Sequence, residues 1–386
     1  MSMKIALLNS EWYPKTGGGV VHVHELATRL VKNHGCEVDI IVKKTGYEIG
    51  SLELPEQITV VQVPRTDSRL LNEIRYTATV LDRARQQEYD VVHSHTNMST
   101  FSLQILHLFN DKATILTVHG ADLNFKVTYA DSSLDSVYTF IRRIILRRFT
   151  YDGIISVSKE LRSVLSKHHG TVEYIPNGVS VDEFPLPDGY GNKEILFVGR
   201  LRPKKNPTDI VKAMNEVIAE NPDASLHIVG TGPLQNRIEQ VVADQEVDEA
   251  VTVHGRVSDD ELHELYRRCS VFVLPSDWEG HPLVLLEAWA SGMTVIGTDV
   301  EGIREFLDKV DYGELVPLDT PDQLATAINS ALSHPDQLKQ NGKQAREFVR
   351  KNYDWDTTVQ RTFDLYQQLS TDTEHNSAKM QSGVNS

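Results

Sequence analysis

The sequence predicts an α/β protein made of two parallel sheets, each doubly wound with helices on both faces. Three observations predict it. Short apolar runs such as "KIALLN" and "SVFVLP" lack the polar alternation of a half-exposed strand, which marks strands covered on both sides. A strand–loop–helix rhythm runs along the first half of the 386 residues and restarts in the second. Between the halves, "PNGVSVDEFPLPDGYGNKE" is rich in Pro, Gly and Asp, the texture of a boundary between domains.

The elements follow in order. "KIALLNS" (4–10) is the first strand, an apolar run closed by turn residues. "VVHVHELATRLVKNHG" (20–35) has helical spacing, with Val23, Leu26, Ala27 and Leu30 on one face and Gly35 as its stop. "EVDIIV", "ITVVQV", "DVVHSH", "ATILTVH" and "DGIISVS" read as further strands. In the second half "EILFVG", "ASLHIVG", "AVTVHG", "SVFVLP" and "MTVIGT" are strands, with helices near 207–220, 233–244, 258–268, 282–290, 321–333 and 335–350. "TTVQRTFDLYQQL" (357–369) is a last apolar helix, expected to pack back on the first domain. The polar tail 371–386 reads as disordered. The expected organisation is 1–178 joined by helix 357–370, a linker at 179–193, and a second domain over 194–356.

Net charge is −15, which disfavours nucleic acid as a partner because an acidic surface repels phosphate backbones. The chain has two cysteines, Cys36 and Cys269, too few for a disulfide framework or a cysteine-built zinc site. The opening reads as a buried strand rather than a signal peptide, and no apolar stretch reaches the length of a membrane span. A cytoplasmic setting is expected.

The stretch "DWEGHPLVLLEAW" (277–289) sets the functional question. It plants Glu279 and Glu287 beside an apolar helix, and buried carboxylates need partners. Proline favours the first position of a helix, so a helix starts near Pro282. The N–H groups of Leu283 and Val284 then form an anion site at its start. Glu287 could meet a vicinal diol or a basic side chain; the stretch alone leaves both open. "LFVGRLRPKKNP" (196–207) places Arg200 and Lys205 in a loop after a strand, which suits a phosphate or, more blandly, solvent. "KTGGGVVHVHELA" puts three glycines between the first strand and first helix, where backbone can approach a ligand. It is not a dinucleotide fingerprint, since His22 occupies the third glycine's place, and "VGTGPLQ" fails likewise at Gln235. His22 and His24 face different ways on a helix. His93 and His95 share a strand face, but a metal there would need ligands the sequence does not reveal. His119 ends a strand before Gly120.

In order, "GGGV", "HG" at 119–120, "ISVSKEL", "IPNGVSVDEF", "VGRL…KK", "VGTGP", "HGRVSDDEL" and the E-x7-E pair Glu279/Glu287 resemble glycosyltransferase family 4, the retaining enzymes of GT-B type. The resemblance covers roughly 3–370. It implies two Rossmann-like domains facing each other across a cleft, and transfer of a sugar from a nucleoside diphosphate to an acceptor hydroxyl. By that resemblance Gly18 and Gly19 let the first domain approach the donor phosphates, and His119 contacts the donor sugar. Arg200 and Lys205 clamp the diphosphate, while the backbone at Arg256 and Val257 reads the base. Glu279 holds sugar hydroxyls, Leu283 and Val284 give N–H groups to phosphate, and Glu287 holds the ribose diol. The chain reads "EGHP" where many members read "EGFG"; Pro282 removes one N–H donor, and the ring of His281 could replace it.

No metal or cofactor is expected, since Arg200 and Lys205 would take its place and no DxD-like ligand set stands out; the resemblance implies that a UDP-sugar is the first donor to test with a GDP-sugar next, and that the acceptor is a carbohydrate or a lipid-linked glycan. Glycolipid, cell-surface polysaccharide or glycoprotein-glycan assembly are the expected settings. The basic, apolar-rich "FIRRIILRRF" (140–149) could rest on the inner face of a membrane or pack its Ile and Leu inward. A sugar-nucleotide epimerase or phosphorylase on the same fold, or a silent sugar-nucleotide-binding protein, are the competing readings.

Overall fold

A computed structural model of the chain describes residues 2–13, 17–44, 53–95, 100–109, 112–120, 148–308 and 310–383. Its contacts divide the chain into two units, Met1–Asn177 with Trp355–Ser386, and Gly178–Asp354.

The first unit opens with β1 (Lys4–Leu8), α1 (Gly18–His34), β2 (Glu37–Lys43) and β3 (Ile58–Val63). It continues through α2 (Arg69–Gln86), β4 (Val91–Ser94), α3 (Thr100–Phe109), β5 (Ala113–Val118), β6 (Gly153–Ser156), α4 (Lys159–Leu165) and β7 (Val172–Tyr174). Among the described residues these strands form one parallel sheet in the order β3-β2-β1-β4-β5-β6-β7. β5 is buried at every position, which is why its sequence shows no alternation. β7, three residues at the sheet edge with Glu173 exposed, is too short and too mixed to register as a strand in sequence.

The second unit contains β8 (Glu194–Val198), α5 (Pro207–Glu220), β9 (Ser225–Val229), α6 (Gln235–Asp244), β10 (Val251–Gly255), α7 (Asp259–Arg268) and β11 (Val271–Leu274). α8 (Leu283–Ala290), β12 (Thr294–Thr298), α9 (Glu301–Leu307), β13 (Gly313–Val316), α10 (Pro321–Leu332) and α11 (Pro335–Asn352) complete it. The sheet order is β10-β9-β8-β11-β12-β13, all parallel. In each sheet the strand order therefore reverses once, between β1 and β4 in the first unit and between β8 and β11 in the second. Ligands of doubly wound sheets bind beyond the strand C-termini at such switch points. The loops leaving those four strands carry the glycines, His95, Arg200 with Lys205, and Glu279.

Apolar side chains cover both faces of both sheets. In the second unit Ile195, Phe197 and Ile228 face one layer, and Leu196, Phe272 and Leu274 the other. The last helix, α12 (Trp355–Gly383), returns to the first unit. Its Val359, Leu365, Tyr366 and Leu369 join the core of α1, β1 and β5. The helix runs past residue 370, where the sequence suggested a disordered tail; Thr373 is still buried and bonds back to Leu369. The segment read as a linker packs into the second unit, with Val179 and Val181 buried. Val179 pairs with Asp354 in an isolated parallel bridge. Among the described residues no helix is long and apolar enough to cross a membrane. Of the basic stretch 140–149, only its last two residues are described.

Candidate functional site

In the second unit three strand-end loops are laced together by backbone. Gly199 N donates to Val229 O, Leu201 N to Thr231 O and Gly230 N to Gly255 O, at 2.8–3.0 Å. Gly230 has φ +138, and a Cβ there would lie 1.8 Å from Gly199 O; at Gly232 it would lie 2.3 Å from Leu201 O. Only glycine permits this approach, so "VGTGP" works as a mould for the loop bearing Arg200. Arg200 is exposed just beyond β8, as is Arg256 beyond β10, and the neighbouring Val257 packs partly against the core.

The loop after β11 is tied to the same place. Asp277 N donates to Lys204 O at 2.9 Å, and the Lys204 ammonium lies 5.3 Å from the centre of the Trp278 ring, a cation–π contact. Lys205 Nζ donates to Glu279 Oε1, which also accepts from Ser276 Oγ at 2.7 Å. Glu279 is 6% exposed, so the basic partner that a buried carboxylate demands is present, 74 residues away in sequence. Two sequence-predicted residues are thus brought into contact. The α9 start holds them from behind, since a Cβ on Gly302 would fall 2.2 Å from Glu279 O.

The helix after this loop begins at Leu283, with Pro282 as its N-cap in an extended conformation, one residue later than the sequence rule suggested. Leu283 and Val284 are the first two helical residues, whose N–H groups have no partner within the helix. His281 is buried against Phe306 and Tyr353, ring centres at 4.8 and 5.7 Å. The ring packs beneath the helix start. Glu287, half-buried on α8, accepts a hydrogen bond from Tyr266 Oη at 2.8 Å. Burial raises the Glu287 pKa, and the Tyr266 bond pulls it back in part. Tyr266 comes from α7, whose start Ser258 and Glu261 fix by a capping box. Sequence reasoning passed over Tyr266, Ser276 and Gly302. Only Gly302, inside "VEGIRE", carried a hint as a glycine at a helix start.

In the first unit α1 starts at Gly18, so Gly18 and Gly19 form its first turn. A Cβ on Gly19 would meet nothing within 4 Å. His22, one turn on, is buried and hydrogen-bonds Asn177 Oδ1 through Nδ1 at 2.8 Å. Burial lowers its pKa to about 4 against the pull of Asn177, so at neutral pH Nδ1–H donates and Nε2 keeps its lone pair. His22 lies 4.8 Å from His119 and 5.0 Å from His95, centre to centre. One ring nitrogen from each of the three lies within 4.8 Å of the others. The sequence reading paired His95 with His93 instead. His93 is taken by Tyr366 Oη and by Thr117 Oγ1 and serves the core. The fold supplies His22 and His119 as the further neighbours that linear spacing concealed.

Comparison with known proteins gives the family. Residues 16–183 match the description Glycosyltransferase Family 4, and residues 183–348 match Glycosyl transferases group 1. The chain belongs to glycosyltransferase family 4. It is accordingly an enzyme, a glycosyltransferase of the hexosyltransferase type. An uncharacterised glycosyltransferase of Methanocaldococcus jannaschii is 28% identical over 94% of this chain and 98% of its own length. Among solved structures, sucrose-phosphate synthase from Thermosynechococcus elongatus superposes with a TM-score of 0.84 at 22% identity, covering 96% of this chain and 100% of that one. Anabaena HepE, in complex with UDP-glucose, gives 0.76 at 17% identity, covering 96% and 100%. These likenesses establish the GT-B fold, two Rossmann-like α/β domains, for this family 4 glycosyltransferase.

Proposed function

We propose that this glycosyltransferase moves a hexose from a nucleoside diphosphate sugar, a UDP-sugar first and a GDP-sugar next, to an acceptor hydroxyl with retention at the anomeric carbon. The observation that carries the reading is the Lys205–Glu279–Ser276 cluster set between an exposed Arg200 and the start of α8. One structural element thus offers cations and helix N–H groups to a diphosphate, with a carboxylate on either side for hydroxyls. Glu287, steadied by Tyr266, would accept from the ribose diol, and Glu279 from hydroxyls of the sugar. Backbone at Arg256 and Val257 would read the base, and Gly18, Gly19 and His119 are the first unit's candidates for donor contact.

In the reaction the C1–O bond to the diphosphate breaks with an oxocarbenium-like sugar at the transition state. The acceptor oxygen bonds to C1 on the same face, and its proton passes to the departing phosphate oxygen. Negative charge grows on that phosphate, where Lys205, Arg200 and the helix start stabilise it; preorganised groups of this kind supply much of an enzyme's rate. Those cations take the place a metal holds elsewhere, so turnover is expected without added divalent ions. A carbohydrate or lipid-linked glycan is the acceptor class, in glycolipid, polysaccharide or glycoprotein-glycan assembly, with the protein cytoplasmic.

A thermal-shift series with UDP-, GDP- and ADP-sugars tests the donor. Ligand at 100-fold its Kd stabilises by ~2.7 kcal/mol. One nucleotide should raise the Tm and release nucleoside diphosphate when acceptor is present, with the product anomer matching the donor by NMR. No response to any nucleotide would refute the reading, and an inverted product would refute retention.

A further inference from the structure

We propose that the second unit holds a structural site for a thiophilic divalent cation such as Zn²⁺, formed by Glu194, His227 and Cys269. These three come from the start of β8, the middle of β9 and the residue that ends α7. Their ligand atoms lie within 4.8 Å of one another. They offer oxygen, nitrogen and sulfur, a set that suits zinc. The site is at the opposite end of the strands from the loops bearing Lys205 and Glu279, so it takes no part in sugar transfer.

The interior of the cluster is polar, with the Glu194 carboxylate set between Arg268 and the His227 ring. His227 is 7% exposed, and its Nε2 makes no hydrogen bond although Glu194 Oε2 is 3.3 Å away. Glu194 is held by Arg268, whose Nη2 donates to Oε1 at 3.0 Å and lies 3.0 Å from Oε2. On the far side of the ring, His227 Nδ1 is 3.0 Å from His254 Nε2. When Nδ1–H donates to His254, Nε2 presents a lone pair toward the carboxylate and the sulfur. That is the tautomer a metal ligand needs, and an outer partner on the second nitrogen is how metal-bound imidazoles are oriented. Arg268 would orient the carboxylate in the same way. Cys269 is fully buried and unpaired with any other cysteine. Zinc bonds of ~2.0–2.3 Å in a tetrahedron set ligand atoms ~3.5 Å apart; His227 Nε2 and Glu194 Oε2 already lie at 3.3 Å, and no separation in the cluster exceeds 4.8 Å, so loading requires a closure of at most about an ångström. Bound there, a cation would join β8 and β9 to the end of α7, the helix that presents Tyr266 to Glu287.

The full chain, tag-free, is incubated with ZnCl₂, desalted and analysed for metal, and then with CoCl₂ for absorption spectra. About one zinc per chain should be retained, and cobalt should give a near-ultraviolet thiolate charge-transfer band. The band should vanish in Cys269→Ser and persist in Cys36→Ser, which removes the other thiol. His227→Gln should lose the zinc. His95→Gln, which alters the first unit's histidine cluster, should keep the band. Wild-type protein without the cobalt band, or a band unchanged in Cys269→Ser, would overturn the proposal. Should Cys269→Ser fail to fold, the Cys36→Ser and His227→Gln spectra decide: a band abolished by the first or untouched by the second overturns it equally.

Discussion

Removing one buried hydroxyl, in Tyr266→Phe, tests the ribose-holding role proposed for Glu287. The Tyr266 side chain is fully buried, and its Oη donates to Glu287 Oε2 at 2.8 Å. A hydrogen bond to a charged group contributes about 1.5–3 kcal/mol. Phe keeps the ring and its packing, so this bond is the main loss. Each 1.36 kcal/mol is one pKa unit; the Glu287 pKa, already raised by burial, should therefore rise by a further unit or two. The folded pKa lies above the unfolded one, so ionising Glu287 lowers stability. That penalty is absent below the unfolded carboxylate value and complete above the folded one. The Tm gap between wild type and variant should accordingly widen as pH rises through this window. Binding runs the other way. Isothermal titration with UDP should show affinity ~10–100-fold weaker at pH 5.5, recovering in part by pH 8.5 as the carboxylate ionises. A Kd within about twofold of wild type at every pH, in a folded variant, would refute a positioning role for Tyr266.

Lys205→Ala should lower kcat by ~10²–10³, read as nucleotide release. It also leaves Glu279 buried without its cation, at a stability cost of about 3–5 kcal/mol; Lys205→Met with Glu279→Gln should recover the Tm but not the turnover. Gly302→Ala drives a Cβ to 2.2 Å from Glu279 O, so overpacking of about 1–3 kcal/mol should appear as a lower Tm together with weaker donor binding. His22 has its pKa lowered from 6.5 to about 4, so acid protonates the unfolded chain first and stability falls as pH drops from 6.5 toward 4. The shift corresponds to ~3 kcal/mol, and His22→Gln should flatten that part of the Tm–pH profile, with His93 and His95 supplying the remaining slope.

The sheets were legible because their strands are buried on both faces and so lose polar alternation; β5 and β12 show no exposed position. β7 and β13 sit at sheet edges with mixed burial, and apolar content alone could not mark them. At the site, Glu279, Glu287 and Lys205 were legible as charges beside apolar or glycine-rich text. Their partners were not. Tyr266 lies on α7 among Glu, His and Arg, where a single aromatic reads as ordinary core, and its value depends on a helix 21 residues further on. Lys205 and Glu279 meet only because β8 and β11 are neighbours in the sheet, a fact of strand order that no local spacing encodes. His22 seemed one of a divergent pair on α1 until the fold set it between His95, His119 and Trp355.

The return of α12 to the first unit makes the gene modular in one direction only. Residues 178–354 form an uninterrupted stretch that could be excised with its own sheet intact. Truncation after residue 177 would instead strip Val359, Leu365, Tyr366 and Leu369 from the amino-terminal core and bare the apolar side chains beneath them. The second unit is in that sense a guest inside its host, and a screen for soluble fragments should recover the guest alone far more readily than a host missing its final helix.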